Sequence, residues 1–203
     1  MEPPISYKVI VFIDGNNFYY KIKDVVSAKE EVYKLLDLHY KNFAQALIKE
    51  NTLVEIRYYI GAIKRQAGSD KEKSEKLYSG QQRLIAKLNN HGVKVVLGNL
   101  IQHPDKSFHE KGVDVRLAVE MIRFAREDKY DVAYLISSDT DLVPAVEEVH
   151  SFNKKVVYVG MSKGQSFGLT KASDDTILLR EEDLLPYIPI ETETEEKNKS
   201  TKK

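Results

Sequence analysis

The sequence predicts an α/β protein, a three-layer α/β/α sandwich in which helices cover both faces of a central parallel sheet of about five strands. Two observations lead to this fold class. Short runs of β-branched and aromatic residues alternate along the chain with longer segments of helical periodicity, as in the crossover units of parallel sheets. The first run is also apolar on both faces, which is typical of a strand buried between two layers of helices.

Five segments are predicted as strands. Residues 9–13 form the first, because five consecutive apolar side chains end there and Asp14-Gly15 follows. Since this run is apolar on both faces, we expect it at the centre of the sheet. The other four strands are predicted at residues 54–60, 93–97, 132–136 and 155–159.

Four segments between these strands have the length and periodicity of helices, at residues 35–50, 72–90, 113–129 and 142–151. No linker divides them, so we expect one domain over residues 6–190. Residues 191–203 contain no apolar side chain. Such a segment cannot bury enough surface to offset the entropy lost on ordering, which predicts a disordered charged tail.

The composition excludes several classes of protein. The 203 residues carry 31 basic and 31 acidic side chains, so a uniformly basic nucleic-acid coat is excluded. The absence of cysteine excludes disulfide scaffolds, cysteine-ligated zinc, iron–sulfur clusters and a thiol nucleophile. No apolar run approaches the ~20 residues that span a bilayer, and the first residues lack a signal-peptide pattern. We therefore expect a cytoplasmic protein with no membrane partner.

Acidic side chains follow two of the predicted strands directly. Asp14 comes after the first strand, and Asp139 and Asp141 come after the fourth. Ligands of open parallel sheets bind at the edge where the strands end. Asp114 joins this group because it lies one turn before the apolar stripe of the third predicted helix, at its N-terminal end.

Four clustered carboxylates repel one another unless they are protonated or bridged by cations. A site built from oxygen ligands alone favours Mg²⁺ or Mn²⁺ over zinc. Structural roles remain open for each residue alone: Asp139 or Asp141 capping the helix that contains Pro144, Asp114 favouring a helix dipole, and Asp14-Gly15 ending a strand. Their coincidence at one edge favours the metal site.

Three motifs give the chain a resemblance to a known family. They are Asp14-Gly15-Asn16-Asn17, Lys111-Gly112-Val113-Asp114 and Ser138-Asp139-Thr140-Asp141. They lie within the fragments VFIDGNNFY, EKGVDVRLAVEMI and LISSDTDLVPAV, and in this order and spacing they resemble an NYN domain. The resemblance is greatest to the LabA-like branch of the PIN-like nuclease superfamily. It implies a Rossmann-like, PIN-like fold, a metal-binding acidic cluster and the ribonuclease activity found in several members.

The resemblance also implies roles for individual residues. Carried over by position, the catalytic and metal-binding acidic cluster consists of Asp14, Asp114, Asp139 and Asp141. The residues expected to contact substrate from these motifs are Asn16, Asn17, Lys111 and Ser138. Ser138 departs from the family pattern, which usually has glycine at that position.

These observations predict a Mg²⁺- or Mn²⁺-dependent endoribonuclease that hydrolyses RNA phosphodiester bonds. Two alternatives remain open: a non-catalytic RNA- or nucleotide-binding regulatory module on a nuclease fold, and a phosphatase that uses the same acidic edge. RNA is the expected partner, with other nucleic acids and a homodimer left open. Tyr19 and Tyr20 offer base-stacking surfaces, although burial in the core explains such tyrosines equally well.

Lys64 and Arg65 begin a locally basic segment, and we expect them to contact the phosphates of the substrate. The alternative is a solvated helix face, because Glu72 and Glu75 lie among the lysines that follow. Because the net charge is zero, affinity for RNA should depend on few cations, with a salt slope of roughly −2 to −4. Replacing both residues with alanine should flatten that slope and leave the melting temperature unchanged. A slope equal to that of the wild type, measured by RNA titration at several salt concentrations, would show that RNA does not pass this segment.

Overall fold

The computed structural model describes residues 6–26, 37–63, 71–102 and 108–189. Lys64, Arg65, the predicted tail at residues 191–203 and the first two residues of the predicted helix at 35–50 lie outside these ranges. The strands are β1 (Lys8–Asp14), β2 (Thr52–Ile60), β3 (Val93–Leu97), β4 (Asn99–Gln102), β5 (Phe108–Lys111), β6 (Val132–Ile136), β7 (Lys155–Met161) and β8 (Asp175–Leu179).

Six of these strands form one parallel sheet in the order β3-β2-β1-β6-β7-β8. The predicted fold class is confirmed, with β1 in the interior of the sheet between β2 and β6. The sheet has one strand more than the five that were predicted. The sequence of β8 is a short apolar run among polar residues, and only Leu179 in it is buried, so it lacks the pattern of a central strand. The remaining two strands, β4 and β5, pair as a separate antiparallel hairpin.

The helices are α1 (Gly15–Val26), α2 (Tyr40–Ile48), α3 (Lys71–Asn90), α4 (Val113–Arg126), α5 (Val143–Ser151), α6 (Phe167–Ala172) and α7 (Glu181–Leu184). The predicted helix at residues 35–50 is shorter, because Lys49 adopts a positive φ of 55°. The helix predicted to reach residue 129 ends at Arg126, since Asp128 also has a positive φ. No helix in the described ranges is long and apolar enough to cross a membrane.

Helix α1 was not predicted, although its sequence carries a helical signal. Phe18, Ile22 and Val26 recur at intervals of four residues and are all buried, as expected for one face of a helix. A turn at Asp14-Gly15 that only ends the strand was one of the alternatives left open. The chain instead passes from β1 into α1 with no intervening loop.

The side chains of β1 divide between two apolar cores. Val9, Val11 and Ile13 pack on the face covered by α1, α2 and part of α3. Ile10 and Phe12 pack on the opposite face, beneath α4, α5 and α6. Successive side chains of a strand point to opposite faces. Because helices cover both faces of the sheet here, all five side chains are at most 1% exposed. Both faces of β1 are thus covered, as its apolar run predicted.

A buried ion pair joins α4 to the sheet. Arg57 of β2 and Glu120 of α4 are each 3% exposed, and Arg57 Nη2 donates to Glu120 Oε2 at 2.5 Å. The hydroxyl of Tyr59 donates to the same oxygen at 2.9 Å, and Arg116 Nε donates to Oε1 at 2.9 Å. Burial alone would raise the pKa of Glu120, but the hydrogen bonds from Arg116, Arg57 and Tyr59 lower it below its ordinary value. The pair therefore stays ionised and fixes α4 against β2.

Replacing Glu120 with alanine should destabilise the protein by about 3 kcal/mol, because it leaves a buried guanidinium with too few partners. Glu55 still accepts a hydrogen bond from Arg57. The loss of unfolding free energy should therefore lie at the lower end of the range for a broken buried ion pair. The control is Glu127→Ala, whose partner Arg123 lies 4.0 Å away at the surface; it should cost less than about 0.5 kcal/mol. Urea unfolding of both variants makes the comparison, and equal losses would contradict the assigned role.

Candidate functional site

Asp14 ends β1 and is held by hydrogen bonds from two directions. The backbone N–H of Asn17 donates to Oδ1 at 3.1 Å, so Asp14 caps the N-terminus of α1. The hydroxyl of Ser137, which follows β6, donates to Oδ2 at 3.1 Å. The side chain is only 6% exposed. Both carboxylate oxygens are therefore fixed in place at the edge where the strands end.

Gly15 permits the direct passage from β1 into α1. Its carbonyl accepts a hydrogen bond from Tyr58 Oη at 3.0 Å. A Cβ atom at this position would lie 2.2 Å from Tyr58 Cε1 and 2.8 Å from the backbone oxygen of Tyr59. No side chain fits there, so glycine lets the helix begin close to β2.

Ser137 links the two acidic segments. Its hydroxyl donates to Asp14 and accepts the backbone N–H of Asp139 at 3.1 Å. Asp139 Oδ1 in turn accepts the N–H of Asp141 at 3.0 Å and caps a 3₁₀ turn at Thr140–Leu142. The capping role considered for Asp139 is therefore present, on the turn before α5 and not on α5 itself.

Asn17 is oriented by the neighbouring serine. Both the backbone N–H and the hydroxyl of Ser138 donate to Asn17 Oδ1, at 3.2 and 2.9 Å. The family's usual glycine would supply only the first of these bonds. Ser138 therefore strengthens the contact between α1 and the end of β6.

Asp114 lies in the first turn of α4, after Gly112 in the left-handed conformation with a φ of 82°. It is exposed, which differs from the inward position that the helical spacing suggested. Its pKa is nevertheless raised, first by partial burial and then by the charges of Asp139 and Asp141. Asp114 thus shares an electrostatic environment with the acidic segment after β6.

A cleft of about 280 Å³ opens between α1, α4 and the end of β6. Its lining residues are Asp14, Asn16, Asn17, Tyr20, Gly112, Val113, Asp114 and Asp139. Three of the four predicted aspartates therefore line one cleft. Asp141 is not among the lining residues, but its charge raises the pKa of Asp114 and its backbone N–H donates to Asp139. The side chain of Lys111 is outside the described part of the chain.

The carboxylates of the cleft disfavour one another's ionisation. Burial raises the pKa of Asp14, the charges of Asp114 and Asp139 add to this effect, and the hydrogen bonds from Asn17 and Ser137 oppose it. The resulting pKa is about 6. Repulsion of this kind is relieved by a proton or by a cation. At neutral pH the cleft is therefore a site of concentrated negative charge that a cation would neutralise.

The donor set of the cleft fits a hard divalent cation, because carboxylate and amide oxygens are the ligands that Mg²⁺ and Mn²⁺ prefer. Within residues 6–26, 37–63, 71–102 and 108–189, however, no three histidine, aspartate or glutamate side chains lie close enough together to hold a metal ion. Coordination by Asp14, Asp114, Asp139 and Asp141 therefore stays a prediction.

Two residues of the site were not among those predicted from the sequence. Ser137 is 3% exposed and bridges Asp14 to Asp139, but one serine at a strand end gives no signal of that role. Tyr20 lines the cleft and is 63% exposed. Its side chain was noted as a stacking surface, but core burial was considered an equally good explanation.

Comparison with known proteins identifies the family and the fold. The model of the NYN domain family matches residues 8–180. The structure is similar to the crystal structure of a protein of unknown function from Vibrio parahaemolyticus, with a TM-score of 0.63 and 23% sequence identity. That similarity covers 91% of this chain and 99% of the other. No curated protein matches the chain significantly.

The raised pKa of Asp14 predicts a pH-dependent stability with a definite sign. Because the folded-state pKa of about 6 exceeds the ordinary value of 3.8, the folded protein binds the extra proton. The contribution of this carboxyl to stability is full below about pH 4 and is lost as pH rises through about 6. In chelator, Asp14→Asn should therefore be more stable relative to the wild type at about pH 7.5 than at about pH 4, by roughly 2–3 kcal/mol.

Urea unfolding at the two pH values measures this difference. Asparagine caps a helix about as well as aspartate, so the bond from Asn17 is retained. The control is Glu147→Gln on the exposed side of α5, which should not change the pH dependence. A variant whose relative stability is the same at both pH values would show that burial and the neighbouring carboxylates do not destabilise the ionised form of Asp14.

Proposed function

Because the chain belongs to the NYN domain family, we propose that it is an endoribonuclease dependent on Mg²⁺ or Mn²⁺ that hydrolyses RNA phosphodiester bonds in the acidic cleft. The main support for this proposal is the burial, the raised pKa and the position of Asp14. It is a buried carboxylate with a pKa of about 6 that lines the same cleft as Asp114 and Asp139. Such an arrangement costs stability and is found where a site needs concentrated negative charge.

The residues proposed to hold the metal ion are Asp14, Asp114 and Asp139, with Asp141 adding its charge beside them. When bound, such an ion neutralises charge on the phosphodiester and makes water a better nucleophile at neutral pH. Asp139 is kept in place by the N–H of Asp141, and Asp14 by Ser137 and Asn17. These bonds orient the carboxylates before substrate binds, so little reorganisation is needed.

Asn17 is proposed to bind the substrate phosphate. Its Oδ1 atom accepts two hydrogen bonds from Ser138, so its amide group offers the Nδ2 protons as donors. A donor in an acidic cleft is suited to a phosphate oxygen, which the carboxylates would otherwise repel. Asn16, which is exposed and lines the same cleft, extends this polar surface.

The proposed branch of the family and the proposed roles of the basic residues rest on the sequence. The fragments VFIDGNNFY, EKGVDVRLAVEMI and LISSDTDLVPAV support membership of the LabA-like branch. Lys111 comes directly before Gly112 of the cleft, which supports a contact with a substrate phosphate. Lys64 and Arg65 are proposed to contact the RNA further along its backbone.

A second candidate function is a non-catalytic RNA- or nucleotide-binding module on the same fold. The observation that favours it is the spacing of the acidic side chains. In the part of the chain that the structure describes, no three of them are grouped closely enough to hold an ion. Under this hypothesis the cleft binds RNA without cleaving it.

RNA cleavage with Mn²⁺, with Mg²⁺ and in chelator tests the proposal. The wild type should cleave only with metal, and Asp139→Asn should reduce the rate on the order of 100-fold or more, because one charge of the cluster is lost while the cap is kept. The matched control is Asp175→Asn, at an exposed aspartate of the edge strand β8 whose Oδ1 also accepts a backbone N–H, that of Thr176. It should cleave at the rate of the wild type.

Thermal melts separate the two candidate functions. Mn²⁺ at ~100 times its Kd should stabilise the wild type by about 2.7 kcal/mol, and Asp139→Asn should lose this effect. RNA binding with no cleavage and no stabilisation by metal would instead favour the non-catalytic module. Cleavage that persists in chelator or in Asp139→Asn would overturn the assignment of the site.

A further inference from the structure

Phe167 is an exposed aromatic residue for which packing gives no reason. Its side chain is 80% exposed, the largest fraction among the exposed large apolar side chains of the described residues. The next residue of α6 with an aliphatic side chain, Leu169, is fully buried. An exposed apolar side chain on an otherwise well-packed element indicates a binding surface when other observations support one.

The backbone that carries Phe167 is held firmly. The preceding residue, Ser166, is 5% exposed and caps α6, because its Oγ accepts the N–H of Leu169 at 3.3 Å. The N–H of Ser166 donates to the hydroxyl of Tyr158 at 2.9 Å. The phenyl ring is therefore presented from a fixed position and not from a loose segment.

Phe167 lies beside the acidic segment that follows β6. Its neighbour Gly168 packs against Thr140, and a Cβ atom on Gly168 would lie 3.2 Å from Thr140 Cγ2. Thr140 stands between Asp139 and Asp141 in the sequence. The exposed ring is thus one residue from the contact that joins α6 to the proposed metal site.

A second exposed aromatic residue lies in the cleft itself. Tyr20 of α1 lines the cleft and is 63% exposed. The next residue, Lys21, connects its helix to the loop between β7 and α6, because Nζ donates to the carbonyl of Gly164 at 3.2 Å. Tyr20 and Phe167 therefore belong to segments that are in contact at the same edge of the sheet.

We infer that Tyr20 and Phe167 form two base-stacking positions, the first in the acidic cleft and the second beside the acidic segment that follows β6, so the substrate enters as a strand with unpaired bases. This inference rests on the proposed function. The acidic cleft repels a polyanion, and the chain has a net charge of zero, so phosphate contacts alone provide limited affinity. Stacking on aromatic side chains adds binding energy without regard to sequence. A duplex keeps its base faces covered and cannot use these positions.

Binding of short RNA oligonucleotides tests the inference, with three probes: a single strand, an abasic strand of equal length and charge, and a duplex. The wild type should bind the single strand more tightly than the other two. Phe167→Ala and Tyr20→Ala should each weaken binding of the single strand roughly 5- to 100-fold. Neither should change binding of the abasic strand or the salt slope, because no charge is removed.

Two further variants serve as controls. Phe167→Tyr keeps an aromatic face and should bind as the wild type does. Tyr7→Ala removes an exposed aromatic ring that precedes β1, at the opposite edge of the sheet, and should also bind normally. The melting temperature of Phe167→Ala should equal that of the wild type, because an exposed ring contributes little to the core.

The outcomes separate the inference from the function on which it rests. RNA cleavage or binding that is unchanged in Phe167→Ala and Tyr20→Ala would overturn the stacking positions and leave the nuclease intact. If these variants lost the same affinity for the abasic strand as for the strand with bases, the stacking positions would also be overturned. A wild type that neither binds nor cleaves any of the probes would overturn the proposed function itself. A change of oligomeric state in Phe167→Ala with unchanged RNA binding would assign the ring to a protein contact instead.

Discussion

The hydroxyl of Ser137 joins the ends of the two central strands, and the arrangement of the site depends on this contact. It donates to Asp14 at the end of β1 and accepts the N–H of Asp139 after β6. Parallel pairing brings the two strand ends together, but pairing alone does not decide how two carboxylates that repel each other are oriented. The hydroxyl of Ser137 is small and buried, and it can donate and accept a hydrogen bond at the same time. It therefore orients the two acidic segments relative to each other.

The site shows that a structural role and a chemical role are compatible in one side chain. Asp14 caps α1, and Asp139 caps the turn before α5. A helix cap uses one carboxylate oxygen and places it at the positive end of a helix or turn. The caps hold the carboxylates at the edge of the sheet, where burial first and neighbouring carboxylates second raise the pKa of Asp14 and Asp114. A cation at this edge would stabilise the ionised carboxylates.

The sequence predicts the elements whose signals are local and strong. The apolar run of β1 indicates a central strand, and the residues that follow β1 and β6 indicate the edge where the site forms. The sequence does not predict β8, whose short run packs on one neighbour only. It also fails to predict that Asp114 is exposed, because this residue lies in the first turn of α4 and faces the open cleft. Ser137 gains its importance from a partner far away in the sequence, because it donates to Asp14 at a separation of 123 residues.

The packing of β1 on both faces has a consequence for how the protein unfolds. Val11 and Phe12 are adjacent in the chain but belong to different cores, so both helical layers depend on one strand. Loss of order in either core exposes that strand, and Asp14 at its end loses its position with it. We therefore expect the amide groups of β1 to exchange with solvent only when the whole sheet unfolds, and those of the edge strand β8 to exchange through local opening. Asp14 in the acidic cleft is thus anchored to an interior strand of the sheet, and the order of that strand depends on both cores.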